Sequence, residues 1–291
     1  MGNVLQLAVA GIAMGLVYGL IGMGVNLVYN ATGGLNFAQG SLLLLGAYMG
    51  VTFCMVLRMP MIIGALLALV AMAGVGAAFG KLVYDPLRKR GPQMFLMAAI
   101  GSGIAIVEAT QIIWGKIPYF FPRPVSVSAV SLGGSIIDTQ SLVILGCALV
   151  IVLGVLYLLR NTQLGLAMLS VGQDKEVAGL MGVRVGRTIT LTFALSTVLA
   201  AIAGILVAPL FFVSPGMADI MIRGMCACVI GGYGPRVMGV IVGGVLLGIA
   251  ESFAAFYISS AYRDAWAFLV LIAFLLVKPR GLFGREVGEK A

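Results

Sequence analysis

Five carboxylates lie in or beside apolar stretches of the 291-residue chain: Glu108, Asp138, Asp219, Glu251 and Asp264. A carboxylate at membrane depth is costly, so it faces water or a partner, where it can steer a charged substrate or brace a bundle. Glu108 and Glu251 sit well inside apolar runs and suit either role. Asp138, Asp219 and Asp264 fall near the ends of runs, where water reaches them. No histidine is present, which removes the Ser-His-Asp triad and the commonest metal ligand. Cys226 and Cys228, two apart on a helix, point in different directions and make a poor metal pair. With Cys54 and Cys147 they read as small apolar filler. The stretch Gly76-Ala77-Ala78-Phe79-Gly80-Lys81-Leu82 has the wrong spacing for a phosphate-binding loop, and Leu82 stands where a hydroxyl is needed. No set of groups for catalysis can be assembled, so the chain reads as no enzyme, with no metal and no cofactor of its own.

Two polar stretches interrupt the apolar sequence. The first, Tyr29 to Gly40, is uncharged, rich in glycine and carries the amides Asn36 and Gln39. It is either a tight turn, with Asn and Gly serving backbone geometry, or irregular backbone buried in protein or lining a watery cavity. The second, Arg160 to Arg187, packs Gln173-Asp174-Lys175-Glu176 before Val177-Ala178-Gly179-Leu180-Met181 and Gly182. Asp174 can cap a helix start, Glu176 suits the positive end of its dipole, and Gly182 is a stop. Ser170 with Gln173 three residues on is an alternative start. Either gives a helix of roughly eight to twelve residues, marginal alone in water. It rests on lipid, on its own bundle or on a soluble partner.

The elements that must position these groups follow from composition. Hydrophobic residues make up 61%, charged residues 10%, and the mean hydropathy is +1.13, which excludes a soluble globular domain. The fold class is all-α: one polytopic transmembrane bundle over residues 1–291. Spans of about 20 apolar residues are expected at Leu5–Val28, Ser41–Leu57, Pro60–Val83, Met94–Gly115, Ser141–Leu159, Thr188–Ala208, Val237–Tyr257 and Asp264–Val277. That is about eight long spans, plus a short or re-entrant segment at Met217–Gly232. Trp114, Tyr119, Phe120 and Phe121 suit a membrane interface. Gly11, Gly15 and Gly19, and likewise Gly239/Gly243 and Gly244/Gly248, form stripes that let a neighbouring helix approach. No basic n-region precedes the first span, so it is expected to stay in the mature protein.

The net charge of +8 is a topology signal, not a sign of nucleic-acid binding. Thirteen of the eighteen Lys and Arg cluster at Lys81–Arg90, the second polar stretch, Arg236 and the basic tail. All four become cytoplasmic if the amino terminus is outside, the tail inside, and Met217–Gly232 returns to the cytoplasmic side. Gly33-Gly34 and Gly231-Gly232 each precede a span rising from that side, a weak internal echo.

The stretch Gly33-Gly34-Leu35-Asn36-Phe37-Ala38-Gln39-Gly40, followed by Gly46-Ala47-Tyr48, resembles branched-chain amino acid ABC transporter permeases of the LivH type. So do Gly172 to Val183, Phe193-Ala194-Leu195-Ser196, Ala200 to Gly204, Gly231-Gly232-Tyr233-Gly234, Gly248-Ile249-Ala250-Glu251 and Lys278 to Gly284. The likeness runs along essentially the whole chain. It implies an inner-membrane importer subunit paired with a second, related permease, two cytoplasmic ATP-binding subunits that use the ATP, and a periplasmic substrate-binding protein. It implies that residues 161–187 form a coupling loop, with Gln173, Asp174, Glu176, Ala178 and Gly182 as its coupling residues. Gln39 departs from the histidine frequent at that place, so no titrating role is assumed there.

Asn36, Gln39, Glu108 and Glu251 are then the candidate polar groups of the substrate path, with surrounding Leu, Val and Phe suited to an apolar substrate. Relatives that carry urea or short amides leave the substrate open. The rival reading is an ion-coupled secondary transporter or channel working alone.

Overall fold

A computed structural model describes residues 2–123, 129–132, 135–234, 237–259, 262–279 and 281–283. Helix α1, Gly2–Thr32, is 31 residues long, well beyond the roughly 20 that a bilayer requires. Its middle is buried on all sides, with Val17, Tyr18, Leu20, Ile21 and Met23 fully covered. Around it pack α5 (Thr139–Asn161), α8 (Val185–Val207), α9 (Ile220–Gly231) and α10 (Val237–Tyr257). A second layer holds α2 (Gln39–Val51), α3 (Met61–Phe79) and α4 (Pro92–Trp114). Wide π-turns lengthen α2 to Val56 and α3 to Tyr84. Seven helices of the described residues are long and apolar enough to cross a membrane. The expected eighth span, α11 (Arg263–Val277), has 15 residues and is shorter.

Between α4 and α5 the chain adds a feature the sequence reading lacks, a small hairpin pairing β1 (Ala129–Leu132) with β2 (Ser135–Asp138). Asp138 caps α5 through Gln140 N and pairs with Arg123 at 3.1 Å, both half-open to solvent. Phe121, expected at an interface, is instead fully buried. Trp114 stacks on Tyr48 and donates from Nε1 to Thr52 Oγ1 at 2.8 Å.

The glycine stripes meet one another. A Cβ on Gly15 would lie 2.6 Å from the backbone of Val245, and one on Gly244 would lie 2.5 Å from the Gly15 carbonyl. This close crossing of α1 and α10 needs hydrogen at both positions.

Two crossings are irregular. α2 begins deep in the bundle, since Gly24 of α1, Ser196 of α8 and Gln39 converge there. The segment after α8 also turns inward: a 3-10 turn at Pro215–Asp219 brings Ala218 against Gly40, and only then does α9 start. α9 ends near Gly234, whose carbonyl accepts from Asn26 Nδ2 at 2.9 Å and Asn30 Nδ2 at 2.8 Å. Asn30 also touches Gly172 of the second polar stretch. The Met217–Gly232 segment therefore runs from mid-bundle back to the end that carries that stretch, as charge counting requires. Arg236, Arg280, Gly284 and the rest of the basic tail lie outside the described residues.

Candidate functional site

The first polar stretch is buried irregular backbone. Thr32 ends α1 and ties its own turn, its Oγ1 donating to Val28 O at 2.7 Å and accepting from Gly34 N at 3.1 Å. Gly33 follows at φ 78°, a left-handed conformation that glycine adopts freely. Asn36, 1% exposed, accepts at Oδ1 from Ala38 N at 3.1 Å and so opens α2. Gln39 is fully buried and binds one partner twice. Its Nε2 donates to Ser196 O at 3.0 Å and its Oε1 accepts from Ser196 Oγ at 3.0 Å. Ser196 Oγ also reaches Gly24 O at 2.9 Å. Three helices are fastened there, in a setting where an unmade hydrogen bond costs most.

The two membrane-depth carboxylates differ. Glu251 on α10 is 1% exposed and pairs with Arg223 Nε of α9 at 3.4 Å. The Arg223 guanidinium also lies 5.9 Å above the Tyr18 ring, so α1, α9 and α10 share one charged junction. Glu108 is exposed on α4, accepting from Gln111 Nε2 at 3.3 Å. It lines a groove of about 410 Å³ with Phe37, Gly40, Ser41, Gly103 and Asp219. An open carboxylate on a spanning helix faces a polar path or a covering protein, since lipid solvates it poorly. The side chain of Asp264 lies outside the described residues. The four candidate path groups are thus not one cluster: Asn36 and Gln39 share one turn, Glu108 borders the groove beside it, and Glu251 sits in the α1–α9–α10 core.

The second polar stretch holds two helices where a single one was expected. α6 (Gln163–Gln173) starts at Thr162, which caps it through Gly165 N at 3.1 Å. Ser170, the alternative start, lies inside α6 and donates to Leu166 O. Asp174 caps the six-residue α7 (Lys175–Leu180) by accepting from Glu176 N at 2.8 Å and Val177 N at 3.1 Å. Glu176 occupies the first turn, and Gly182, at φ 86°, ends the motif. Gln173 lines a cavity with Asn30 and Asp174. Ala178 points inward, onto a cluster that includes Phe79, Tyr84, Phe95 and Phe193. Val177, Leu180 and Met181 point outward, the last two more than 80% exposed.

A family model described as branched-chain amino acid transport system, permease component, matches residues 7–277. The chain belongs to that permease family. It is 31% identical over 98% of its length, and 97% of the relative's, to a Pseudomonas aeruginosa protein named high-affinity branched-chain amino acid transport system permease protein BraD. The same identity and coverage relate it to LivH of Salmonella typhimurium, with the same descriptive name. A probable LivH of Methanocaldococcus jannaschii is 28% identical over 91% of the chain.

Within this multi-pass permease, sequence reasoning missed several groups that the fold places at the site. Ser196 is the partner of Gln39, 157 residues away. Lys175 donates from Nζ to Thr32 O at 3.0 Å, joining α7 to the end of α1. Asn26 and Asn30, a turn apart on α1, hold the Gly234 turn. Their i, i+4 spacing on an apolar helix was the signal available for that pair.

Proposed function

We propose that the chain is the membrane-spanning subunit of an ATP-driven importer carrying branched-chain or other hydrophobic amino acids across the bacterial inner membrane. The observation that carries this reading is likeness along 98% of the chain to permeases whose names state that transport. The partners are a second, homologous permease, two cytoplasmic ATP-binding subunits and a periplasmic substrate-binding protein. ATP is used by those subunits, and the chain itself binds no cofactor. The amino terminus is outside and the carboxyl terminus cytoplasmic. α7 is the coupling element: Ala178 seats it, and the exposed Val177, Leu180 and Met181 offer an apolar face to an ATP-binding subunit. The path passes the Glu108 groove and the Asn36–Gln39 turn, and the Arg223–Glu251 junction braces one of its walls.

The test is co-purification of the tagged full-length chain with its partners, followed by ATP-driven leucine uptake in proteoliposomes with the binding protein present. The wild type recovers ATPase subunits and accumulates leucine. Leu180→Asp with Met181→Asp inserts normally but recovers those subunits at least about tenfold less, as expected when central apolar contacts of an interface are lost. A solitary chain that moves substrate on an ion gradient alone would sink the reading.

A further inference from the structure

A second cavity adjoins the path just described. It measures about 480 Å³ and lies between the turn after α8, the head of α9 and α11. Phe211, Phe212, Ile222 and Phe268 line it, together with Asp219 and Arg223. The volume is that of a small-molecule site, and the lining is mostly apolar with few polar groups, as in such sites. Asp219 and Arg223 are four residues apart at the start of α9, a spacing that puts both on one face. Arg223 is held from behind by Glu251 and Tyr18, so its guanidinium is positioned before any ligand arrives. Asp219 also lines the Glu108 groove, which puts it on the ridge between the two cavities.

We propose that this cavity is an acceptor site for an apolar α-amino acid, and that it discriminates through charge at both ends of the molecule. Asp219 takes the ammonium, Arg223 faces the carboxylate, and Phe212, Ile222 and Phe268 cover the side chain. The acid, the base and the apolar wall match, group for group, what an apolar zwitterion presents. Glu251 shares the charge of Arg223, which makes the guanidinium the weaker of the two anchors. The ammonium end is therefore the stronger anchor. The place of this site in transport rests on the importer reading, but occupancy of the cavity is measurable without it.

The experiment is direct binding to the full-length chain, purified with its subunits in lipid nanodiscs without the binding protein, and no ATP is needed. The probes are leucine, 4-methylpentanoate, which lacks the ammonium, and 3-methylbutylamine, which lacks the carboxylate. Leucine binds saturably, both analogues bind more weakly, and the amine outranks the acid. Asp219→Asn weakens leucine about tenfold or more, the effect of losing one charge-assisted hydrogen bond, and changes 4-methylpentanoate less than about twofold. Phe212→Ala, at a side chain 62% exposed and outside the packed core, weakens leucine severalfold and leaves alanine unchanged. The assignment is overturned if leucine does not bind, if the amine matches leucine, if both variants keep wild-type affinity, or if Asp219→Asn weakens leucine and 4-methylpentanoate alike. Failed ATP-driven uptake beside intact leucine binding would defeat the importer reading and leave this site standing.

Discussion

Lys175 ties α7 to the end of α1, through its 3.0 Å bond to the carbonyl of Thr32. The last carbonyls of a helix have no partners within it and carry partial negative charge, so an ammonium suits that position. Burial nevertheless holds the Lys175 pKa below its ordinary 10.5, because a partly buried site disfavours the charged form. Between the folded pKa and 10.5 the unfolded chain binds more protons at this residue than the folded chain does. Stability from this residue therefore rises as pH climbs through that window. Lys175→Met lacks the rise, so the thermal midpoint of the wild type in detergent gains on the variant from pH 8 to pH 10.5. A constant difference over that range would count against it. At this scale, the sequence showed Asn36 and Gln39 as amides in an uncharged break, and both are buried there. The partner of Gln39 was not legible, because Ser196 meets it only once α2 and α8 pack side by side.

Among the elements, the glycine stripes on α1 and α10 were legible from spacing alone, but not that they pack against each other. Four-residue glycine repeats mark a helix stripe, and two such stripes can face each other without side chains between them. In the fold, Gly11, Gly15 and Gly19 lie against Ile249, Val245 and Ile241 of α10. Gly15→Ala puts a methyl 2.6 Å from the Val245 backbone, where only a shift of the whole helix gives room. The expected cost is about 1–3 kcal/mol, read as a lower unfolding midpoint or faster subunit loss in detergent. Gly146→Ala on α5 is the contrasting case, with nothing within 4 Å of the added carbon. There the better helix propensity stabilises by roughly 0.5–1 kcal/mol. Opposite signs are the expected result, and equal losses would mean that the stripe is not a special contact. Short elements were harder to read. α6 stayed hidden because its buried residues, Gly165, Met168 and Val171, make only a narrow stripe in a polar stretch. α9 has 12 residues, too few to cross alone, and its first half-crossing is made by chain with no helical period.

For the whole molecule, the two ends of the bundle differ in what they expose. One carries α6, α7 and the Lys81–Arg90 loop; the other carries Trp114, Tyr119 and the turn bridged by Tyr119 and Val213. Counting charges required the Met217–Gly232 segment to return to the basic end, and the Asn26 and Asn30 bonds to Gly234 place its exit there. Positive charge is retained on the cytoplasmic side, so Leu180 and Ile117 should lie on opposite faces of the membrane. Both are open, at 88% and 80% exposure, and each tolerates a cysteine once the four native cysteines are replaced. A membrane-impermeant maleimide is expected to label Ile117→Cys in intact cells, and Leu180→Cys only in inverted vesicles. Labelling of both from one side would place α7 away from the cytoplasm. An ATP-binding subunit could then not reach its apolar face, and the importer reading would lose its coupling element together with its orientation.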